Sequence, residues 1–379
     1  MSAKIRVLVV DDSALMRKLI PQTLLRDPSI EVVGTAMDGL IGLKKIGELR
    51  PHVVTLDLEM PRMDGIEMLR QITRKYRVPT IVFSAHTEEG AAITVKALAL
   101  GAFDFVTKPQ QAASGHIEHI ASELALKIKV AAASGAPKMI VTEPMTRPKE
   151  RREFSVQPRW PSRIVAIGIS TGGPNALQYL FSQLPQDFPG CLLIVQHMPE
   201  GFTEMFARRL DECSAIEVKE AQSGDLLLAG RALICPGNRH IKVRRMEHGD
   251  VAILVDQPRM NGHRPSADVL FQSVAREFGG KSVAVLMTGM GDDGAAGLGA
   301  VRSAGGFTLA QSPESCVVES MPRSAIERGF AMSVVPLHGL ASVIQSVCAA
   351  EGERDPLVEE SQPRRNSRAR EVVSRRRSS

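Results

Sequence analysis

The chain is poor in aromatic residues: one tryptophan, two tyrosines and 12 phenylalanines make up 4% of its 379 residues. Base stacking on aromatic side chains is therefore not an evident theme. Long hydrophobic runs are also missing, since none approaches the roughly 20 apolar residues of a membrane-spanning helix. The first six residues lead directly into a strand pattern, without the apolar core of a signal peptide. We therefore expect a cytoplasmic protein with no direct membrane insertion.

Cysteine is scarce and scattered. The five cysteines stand at positions 191, 213, 235, 316 and 348, and none forms a Cys-x-x-Cys pair. This spacing argues against a disulfide framework and against a zinc site. We expect buried or half-buried thiols, the usual environment of a free cysteine.

The net charge of +5 is unevenly distributed along the chain. Residues 1–126 hold 15 basic and 15 acidic side chains, and residues 164–350 hold 15 basic and 18 acidic ones. Residues 127–163 hold nine basic and three acidic, and residues 351–379 hold eight basic and six acidic. The positive excess thus lies between and after the predicted domains. A nucleic-acid footprint is expected as a patch on a fold, so we predict no nucleic-acid partner.

The first third of the chain alternates apolar runs with amphipathic stretches of helical spacing. This alternation is typical of a doubly wound parallel sheet, whose ligands bind beyond the carboxyl ends of the strands. We predict five such strands in the first domain, at 5–10, 31–36, 52–57, 79–84 and 103–107.

The pattern predicts two α/β domains. The first spans residues 1–125, and a linker rich in Pro, Arg, Lys and Glu follows at 126–160. Strand-like runs resume in a second α/β domain at 161–350. The Arg- and Ser-rich end at 351–379 is predicted to be a basic, disordered tail.

Five polar side chains follow strands of the first domain. Asp11 and Asp12 follow the first strand, and Asp57 ends the third. Because the carboxyl ends of parallel strands share one edge, these carboxylates should cluster and favour Mg²⁺. Ser84 ends the fourth strand and Lys108 follows the fifth, so both are predicted to face the same acidic pocket and to contact a phosphoryl group.

Residues 1–125 resemble a response-regulator receiver domain. The resemblance implies that Asp57 is the phospho-acceptor and that the three carboxylates hold Mg²⁺ for its phosphorylation. It further implies that Ser84 and Lys108 contact the phosphoryl group and that Phe105 is the switch aromatic. A histidine kinase would then supply the phosphoryl group.

A second motif opens the other domain. Residues 168–173 read Gly-Ile-Ser-Thr-Gly-Gly and directly follow the apolar run 164–167. A glycine-flanked serine between a buried strand and a helix is how a hydrolase presents its nucleophile. Ser170 is therefore a candidate nucleophile. The alternative is a serine that caps a helix beside a phosphate-binding loop.

A nucleophilic serine needs a base within hydrogen-bond reach. His197 follows the apolar run 191–195 and one glutamine, which places it at the end of a strand on the same edge as Ser170. His240 and His263 lie in turn-like sequences and are rival candidates. Position favours His197 without excluding the other two.

The orienting acid is expected in the loop 288–294, which reads Thr-Gly-Met-Gly-Asp-Asp-Gly after a strand. Its backbone N–H groups are also candidates for an oxyanion hole. From the residues alone, Asp292 and Asp293 are nearly equivalent. The order Ser, His, Asp differs from that of the α/β-hydrolases, so that fold is not assumed.

Residues 161–350 resemble the catalytic domain of the chemotaxis protein-glutamate methylesterase family. Four segments carry the resemblance: 168–173, 196–199, 263–271 and 288–294. With a receiver in front, the domain order also matches.

The resemblance implies a role for each matched residue. Ser170 would be the nucleophile, His197 the general base and Asp293 the orienting acid. The backbone N–H of Met290, together with Thr171, would stabilise the oxyanion. No cofactor is implied for the hydrolase itself.

The implied activity is a phosphorylation-activated esterase. It would remove methyl groups from glutamate methyl esters of methyl-accepting chemotaxis receptors, releasing methanol, and deamidate receptor glutamines. The basic tail carries no aromatic receptor-docking pentapeptide. Two alternatives remain: a phospho-regulated binding module with an inactive serine, and a receiver-driven DNA-binding regulator.

Overall fold

The computed structural model describes residues 4–85, 87–108, 114–134 and 159–349. They form two parallel α/β sheets with helices on both faces, and a small antiparallel hairpin. This confirms the predicted fold class, including the five parallel strands of the receiver. The tail at 351–379 lies outside the described residues.

The receiver sheet has the strand order β2-β1-β3-β4-β5, and every neighbouring pair is parallel. The strand order reverses between β1 and β3, which is where open sheets of this kind bind ligands. Its strands are β1 (Ile5–Val10), β2 (Ile30–Ala36), β3 (Val53–Asp57), β4 (Thr80–Ser84) and β5 (Asp104–Thr107). Its helices are α1 (Ala14–Leu24), α2 (Gly39–Leu49), α3 (Gly65–Gln71), continued by a π-helical turn (Ile72–Tyr76), α4 (Glu88–Ala99) and α5 (Ser114–Ser134).

Short polar residues begin most of these helices. The side chains of Asp38, Asp64 and Thr87 accept backbone N–H bonds from the first turns of α2, α3 and α4. Such caps satisfy N–H groups that have no partner inside the helix. The capped helices follow strands β2, β3 and β4, so the chain leaves each strand end in a defined direction.

Helix α5 extends past the predicted domain boundary at residue 125. It continues to Ser134, and the side chains of Ile128 and Ala131 are fully buried in the receiver core. The first residues of the predicted linker are therefore part of the receiver. The Pro- and Arg-rich residues 135–158 lie outside the described part of the chain.

The second sheet has seven parallel strands in the order β14-β13-β12-β6-β7-β9-β8. Its strands are β6 (Ile164–Ile169), β7 (Cys191–Gln196), β8 (Glu217–Glu220), β9 (Arg231–Ile234), β12 (Ser282–Leu286), β13 (Phe307–Gln311) and β14 (Ser333–Val335). The separate hairpin consists of β10 (His240–Arg244), which pairs antiparallel with β11 (Val251–Val255). The helices are α6 (Gly173–Ser182), α7 (Phe202–Cys213), α8 (Ala267–Phe278), α9 (Ala295–Ser303), α10 (Ser320–Glu327) and α11 (Leu337–Ala349). The order reverses at β6, between β12 and β7, so the loops after these three strands meet at a switch point.

The two sheets are joined by an apolar interface. One buried hydrophobic cluster runs from the receiver into the second domain. Within it, the ring of Phe105 on β5 stacks on that of Phe202 at the start of α7, with centroids 4.9 Å apart. Helix α5 adds a polar contact, because Ser134 Oγ donates to the carbonyl of Val317 at 3.0 Å. The receiver is thus seated on the face where α6 and α7 begin.

None of the five cysteines forms a disulfide, and all five lie within the described residues. Cys191, Cys235 and Cys348 are buried, whereas Cys213 and Cys316 are half-buried. This confirms the expected environment of the thiols. Among the helices of the described ranges, none combines the length and the apolar character that crossing a membrane requires.

Phe202 is predicted to hold the two domains together. Phe202→Ala should lower the free energy of unfolding by about 3–5 kcal/mol, because it removes a buried aromatic side chain. It should also increase the radius of gyration, because the ring contact with Phe105 is lost. Small-angle X-ray scattering measures this separation. Phe271→Ala is the matched control, since Phe271 is equally buried in a cluster away from the receiver. Equal radii of gyration for the two variants would contradict the assignment.

Candidate active site

Ser170 lies on the sharp turn between β6 and α6. Its backbone N–H donates to the carbonyl of Thr288 at 3.0 Å, and its carbonyl accepts from Gly173 at 2.8 Å. Gly172 has φ of +79°, a conformation that glycine adopts without steric cost. The turn therefore presents the serine at the carboxyl edge of the sheet.

The loop after β12 packs directly against this turn. A Cβ atom at Gly289 would lie 2.8 Å from Ser170 Cβ and 2.2 Å from Met321 Sδ, closer than atoms can approach. Only glycine fits at this position. The loop 288–294 is consequently held against the serine by its own backbone.

His197 and Asp293 form a hydrogen-bonded pair beside the serine. His197 follows β7, and its Nε2 lies 2.8 Å from Asp293 Oδ2. Asp293 follows β12 and is only 1% exposed. Since β12, β6 and β7 are neighbours in the sheet, the three residues come from three adjacent strand ends.

The Asp293 carboxylate is held by more than His197. It accepts hydrogen bonds from Ser266 Oγ at 2.7 Å and from the backbone N–H of Ala267 at 2.7 Å. These groups form the N-terminus of α8, where the helix dipole favours an anion. Burial acts to raise the pKa of Asp293, but the hydrogen bonds from His197, Ser266 and Ala267 outweigh it and lower the pKa to about 2.

The rival candidates lie elsewhere. Asp292 pairs with Arg328 at 3.1 Å, and its side chain is 59% exposed. His240 is buried at the start of β10, with its Nε2 3.1 Å from the Pro258 carbonyl. The structure therefore separates Asp292 from Asp293, although the residues alone left them equivalent.

His263 is the one rival that reaches the site. Its ring stacks on that of His197, with centroids 4.0 Å apart and planes 7° from parallel. Burial, followed by the nearby His197, lowers the pKa of His263 to about 4. It is therefore a neutral imidazole near neutral pH.

Ser170, Thr171, His197, His263 and Met290 line one cavity of about 800 Å³. Ser170 Oγ makes no hydrogen bond to His197 here, and catalytic hydrogen bonds are often long before substrate binds. His197 Nδ1 is buried and has no hydrogen-bond partner among the described residues. This nitrogen is available to accept a proton.

In the two predicted oxyanion residues, the backbone N–H groups and the Thr171 hydroxyl differ in their present bonding. The backbone N–H groups of Met290 and Thr171 have no acceptor within the described part of the chain. Both are therefore available to a developing negative charge. The hydroxyl of Thr171, in contrast, donates to Asp104 Oδ2 of the receiver at 2.9 Å.

Asp104 is a site residue that the sequence reasoning missed. Its Oδ1 lies 3.2 Å from Lys127 Nζ on α5, and its backbone neighbour Phe105 carries the ring that packs on α7. Phe105 and Lys108 line the same cavity as Ser170. The receiver therefore covers one side of the candidate active site.

The acidic cluster of the receiver is assembled as expected from the strand ends. Ligand oxygens of Asp11, Asp12 and Asp57 lie within 4.8 Å of one another. Asp11 Oδ2 is buried without a hydrogen-bond partner among the described residues. Burial and the charge of Asp57 raise the pKa of Asp11 to about 6. This donor set fits a hard cation such as Mg²⁺, which favours carboxylate and water oxygens.

Lys108 already contacts the acidic cluster. Its Nζ lies 2.7 Å from Asp57 Oδ2. Burial raises the pKa of Asp57, and the pairing with Lys108 partly opposes this shift. The two residues are therefore placed together, at the end of β3 and after β5.

Ser84 is buried, but its hydroxyl is turned towards α4. Ser84 Oγ lies 3.1 Å from the Ala85 carbonyl and 3.2 Å from that of Gly90, and Thr94 Oγ1 donates to it at 2.6 Å. These bonds satisfy the hydroxyl within the helix packing. Its contact with a phosphoryl group stays a prediction.

Comparison with known proteins gives the family. The family model for the CheB methylesterase matches residues 165–344, and that for the response regulator receiver domain matches residues 7–118. A protein-glutamate methylesterase/protein-glutamine glutaminase 2 of Koribacter versatilis is 62% identical over 352 residues, covering 92% of this chain and 97% of that protein. The chain belongs to the protein-glutamate methylesterase/protein-glutamine glutaminase family. This confirms the resemblance drawn from the motifs.

Another member of the methylesterase/glutaminase family is also similar along most of the chain, and one solved catalytic domain is similar over about half of it. The protein of that name from Symbiobacterium thermophilum is 46% identical, covering 90% of this chain and 96% of that protein. The catalytic domain of the Thermotoga maritima CheB methylesterase, known from a crystal structure, is 38% identical in sequence. The match covers 49% of this chain and 98% of the Thermotoga maritima chain, with a TM-score of 0.48.

Asp293 is predicted to set part of the acid stability of the fold. Because its folded pKa of about 2 lies below the ordinary 3.8, the carboxylate stabilises the fold fully above about pH 5 and less as the pH falls towards 2. This contribution is roughly 2 kcal/mol, of which about half is lost by pH 3. Asp293→Asn should therefore show a smaller loss of unfolding free energy between pH 5 and pH 3 in urea titrations.

Asp292→Asn is the matched control for this experiment. It removes the adjacent carboxyl, which is largely exposed, and should keep the wild-type pH dependence. If Asp293→Asn lost stability as steeply as the wild type, the depressed pKa would be refuted.

Proposed function

We propose that this chain is a phosphorylation-activated serine hydrolase of the protein-glutamate methylesterase/protein-glutamine glutaminase family. Its substrates are glutamate methyl esters of methyl-accepting chemotaxis receptors, from which it releases methanol. It also deamidates specific receptor glutamines to glutamate. The observation that carries the proposal is that His197, which is hydrogen-bonded to the buried Asp293, lines one cavity together with Ser170.

Ser170 acts as the nucleophile in both reactions. Its Oγ attacks the side-chain carbonyl, and His197 Nδ1, which has no partner among the described residues, takes the proton. The backbone N–H groups of Met290 and Thr171 stabilise the oxyanion. His197 then gives the proton to the leaving oxygen, which departs as methanol, or to the leaving nitrogen, which departs as ammonia in the deamidation. Water then hydrolyses the acyl-enzyme.

Asp293 stabilises the imidazolium that forms on His197. Since its pKa is held at about 2 by its hydrogen bonds, the carboxylate stays charged throughout the catalytic cycle. Its bonds to Ser266 and Ala267 also fix its direction. This is the orienting role of the acid in a Ser-His-Asp triad.

The receiver regulates access to the cavity. Asp57 accepts a phosphoryl group from a chemotaxis histidine kinase, and Lys108, already 2.7 Å away, compensates its charge. Asp11, Asp12 and Asp57 would hold Mg²⁺, which would supply charge neutralisation for this transfer. Because β5 leads from Lys108 back to Asp104 and Phe105, a change at Asp57 is expected to loosen the contacts of these residues with Thr171 and Phe202.

Ser170→Ala should abolish methanol release. Loss of a triad nucleophile lowers the rate by several orders of magnitude, on the order of 10⁴-fold or more. The assay is methanol release from membranes that carry methylated chemoreceptors. Ser182→Ala is the control, since Ser182 sits at the end of α6 and its hydroxyl bonds only to the Tyr179 carbonyl and the Gln183 side chain. Turnover by Ser170→Ala near the wild-type rate would contradict the nucleophile assignment.

Asp57→Asn should separate regulation from catalysis. The variant lacks the phospho-acceptor but keeps the residues of the cavity, so basal methanol release should persist. An acyl-phosphate donor with Mg²⁺ should accelerate the wild type and leave the variant unchanged. An equal acceleration of Asp57→Asn would show that the phosphodonor acts elsewhere.

A further inference from the structure

We infer that His263 is a positioning residue that holds the plane of the His197 ring, so that His197 Nδ1 is aimed into the cavity at Ser170. The inference rests on the proposed function, since it assigns a role within the same triad. It gives a task to the one rival histidine that the structure brings to the site.

A single hydrogen bond does not orient an imidazole ring. The bond from His197 Nε2 to Asp293 Oδ2 fixes one ring atom, and the ring can still rotate about that contact. The opposite nitrogen, Nδ1, has no hydrogen-bond partner among the described residues that would stop the rotation. A flat neighbour on one face of the ring does stop it. His263 supplies that face, at 4.0 Å and 7° from parallel.

His263 is itself held firmly. It ends a two-residue turn in which Asn261 and Gly262 have φ of +52° and +81°, the conformation that Asn-Gly pairs favour. The turn is closed by two backbone bonds between Met260 and His263, of 3.0 and 2.9 Å. Asn261 Nδ2 also donates to Asp268 Oδ2 on α8 at 2.8 Å. The same helix begins at the groups that hold Asp293, so both partners of His197 are fixed to α8.

The charge state of His263 suits this role. With a pKa lowered to about 4 by burial and by His197, it stays neutral when His197 becomes protonated. A neutral aromatic face stabilises a cation above it, whereas a second positive charge would repel it. Of the charged groups around His263, Arg259 acts to lower its pKa, whereas Asp293 and Asp292 act to raise it.

Three substitutions at His263 distinguish the effect of a flat ring from the effect of side-chain volume. His263→Phe keeps a flat ring, His263→Leu keeps apolar volume without one, and His263→Ala removes both. We expect kcat for methanol release to fall 10- to 100-fold for the leucine and alanine variants, since small misplacements of catalytic groups cost about that much. KM should change little, and His263→Phe should stay within about threefold of the wild type in kcat.

Two results would overturn the inference: equal kcat for His263→Phe and His263→Leu, or wild-type kcat for His263→Ala. If the alanine variant fails to fold in thermal unfolding, the comparison of phenylalanine with leucine still decides. The rate at which a fluorophosphonate labels Ser170 gives a second readout that needs no receptor, and it should rank the variants in the same order. A wild type that is not labelled at Ser170 and releases no methanol would overturn the proposed function as well. An active wild type whose phenylalanine and leucine variants have equal kcat would overturn only the role of His263.

Discussion

The hydrogen bond between Thr171 and Asp104 is the contact on which the proposed coupling between the two domains depends. Thr171 follows the candidate nucleophile directly, and Asp104 begins the last strand of the receiver. That strand ends beside Lys108, whose ammonium group lies on Asp57. One short strand therefore connects Asp57, the proposed phospho-acceptor, to the turn that carries Ser170. No long chain of coupled residues is required to link the two sites.

This polar contact is embedded in an apolar one. Phe105 lies next to Asp104 and stacks on Phe202, and Lys127 pairs with Asp104 while its Nζ lies 5.4 Å from the centre of the Phe105 ring. Because packed interfaces are bistable rather than continuously deformable, a small shift of β5 is expected to release the whole patch. The proposed switch is therefore a change of docking, and it needs no rearrangement of the triad.

The two acidic sites are electrostatic opposites. Asp293 is buried but accepts hydrogen bonds from His197, Ser266 and Ala267, and its pKa is about 2. Asp11 is also buried, yet one of its oxygens lacks a partner among the described residues, and its pKa is about 6. A carboxylate that must stay charged is fully satisfied by the protein. The proposed site for a cation and a phosphoryl group instead keeps a buried carboxylate oxygen without a hydrogen-bond partner among the described residues, which a cation could bind.

Much of this arrangement was predictable because parallel strands bring their carboxyl ends to one edge. That rule alone placed Asp11, Asp12 and Asp57 together, and Ser170 on the same edge as His197. It could not choose between Asp292 and Asp293, since adjacent residues diverge according to local backbone that no periodicity reports. Asp104 was missed because its partner lies in the other domain. The end of α5 at Ser134 was missed because the burial of Ile128 and Ala131 extends the helix beyond what composition indicates.

His263 shows a different limit of sequence reasoning. As a residue type it was a candidate base, and chemistry alone could not demote it. The Asn-Gly pair at 261–262 did signal a tight turn before it. Only the packed structure shows that the turn lays its ring flat on His197 instead of directing a nitrogen at an acid.

The central claim is that the docked receiver limits access to Ser170 and that phosphorylation of Asp57 relieves this limit. The most direct test is the rate at which a fluorophosphonate labels Ser170 in the full chain, with and without an acyl-phosphate donor and Mg²⁺. The account predicts faster labelling in the presence of the donor. An unchanged rate, in a protein whose Asp57 is shown to be phosphorylated, would contradict it.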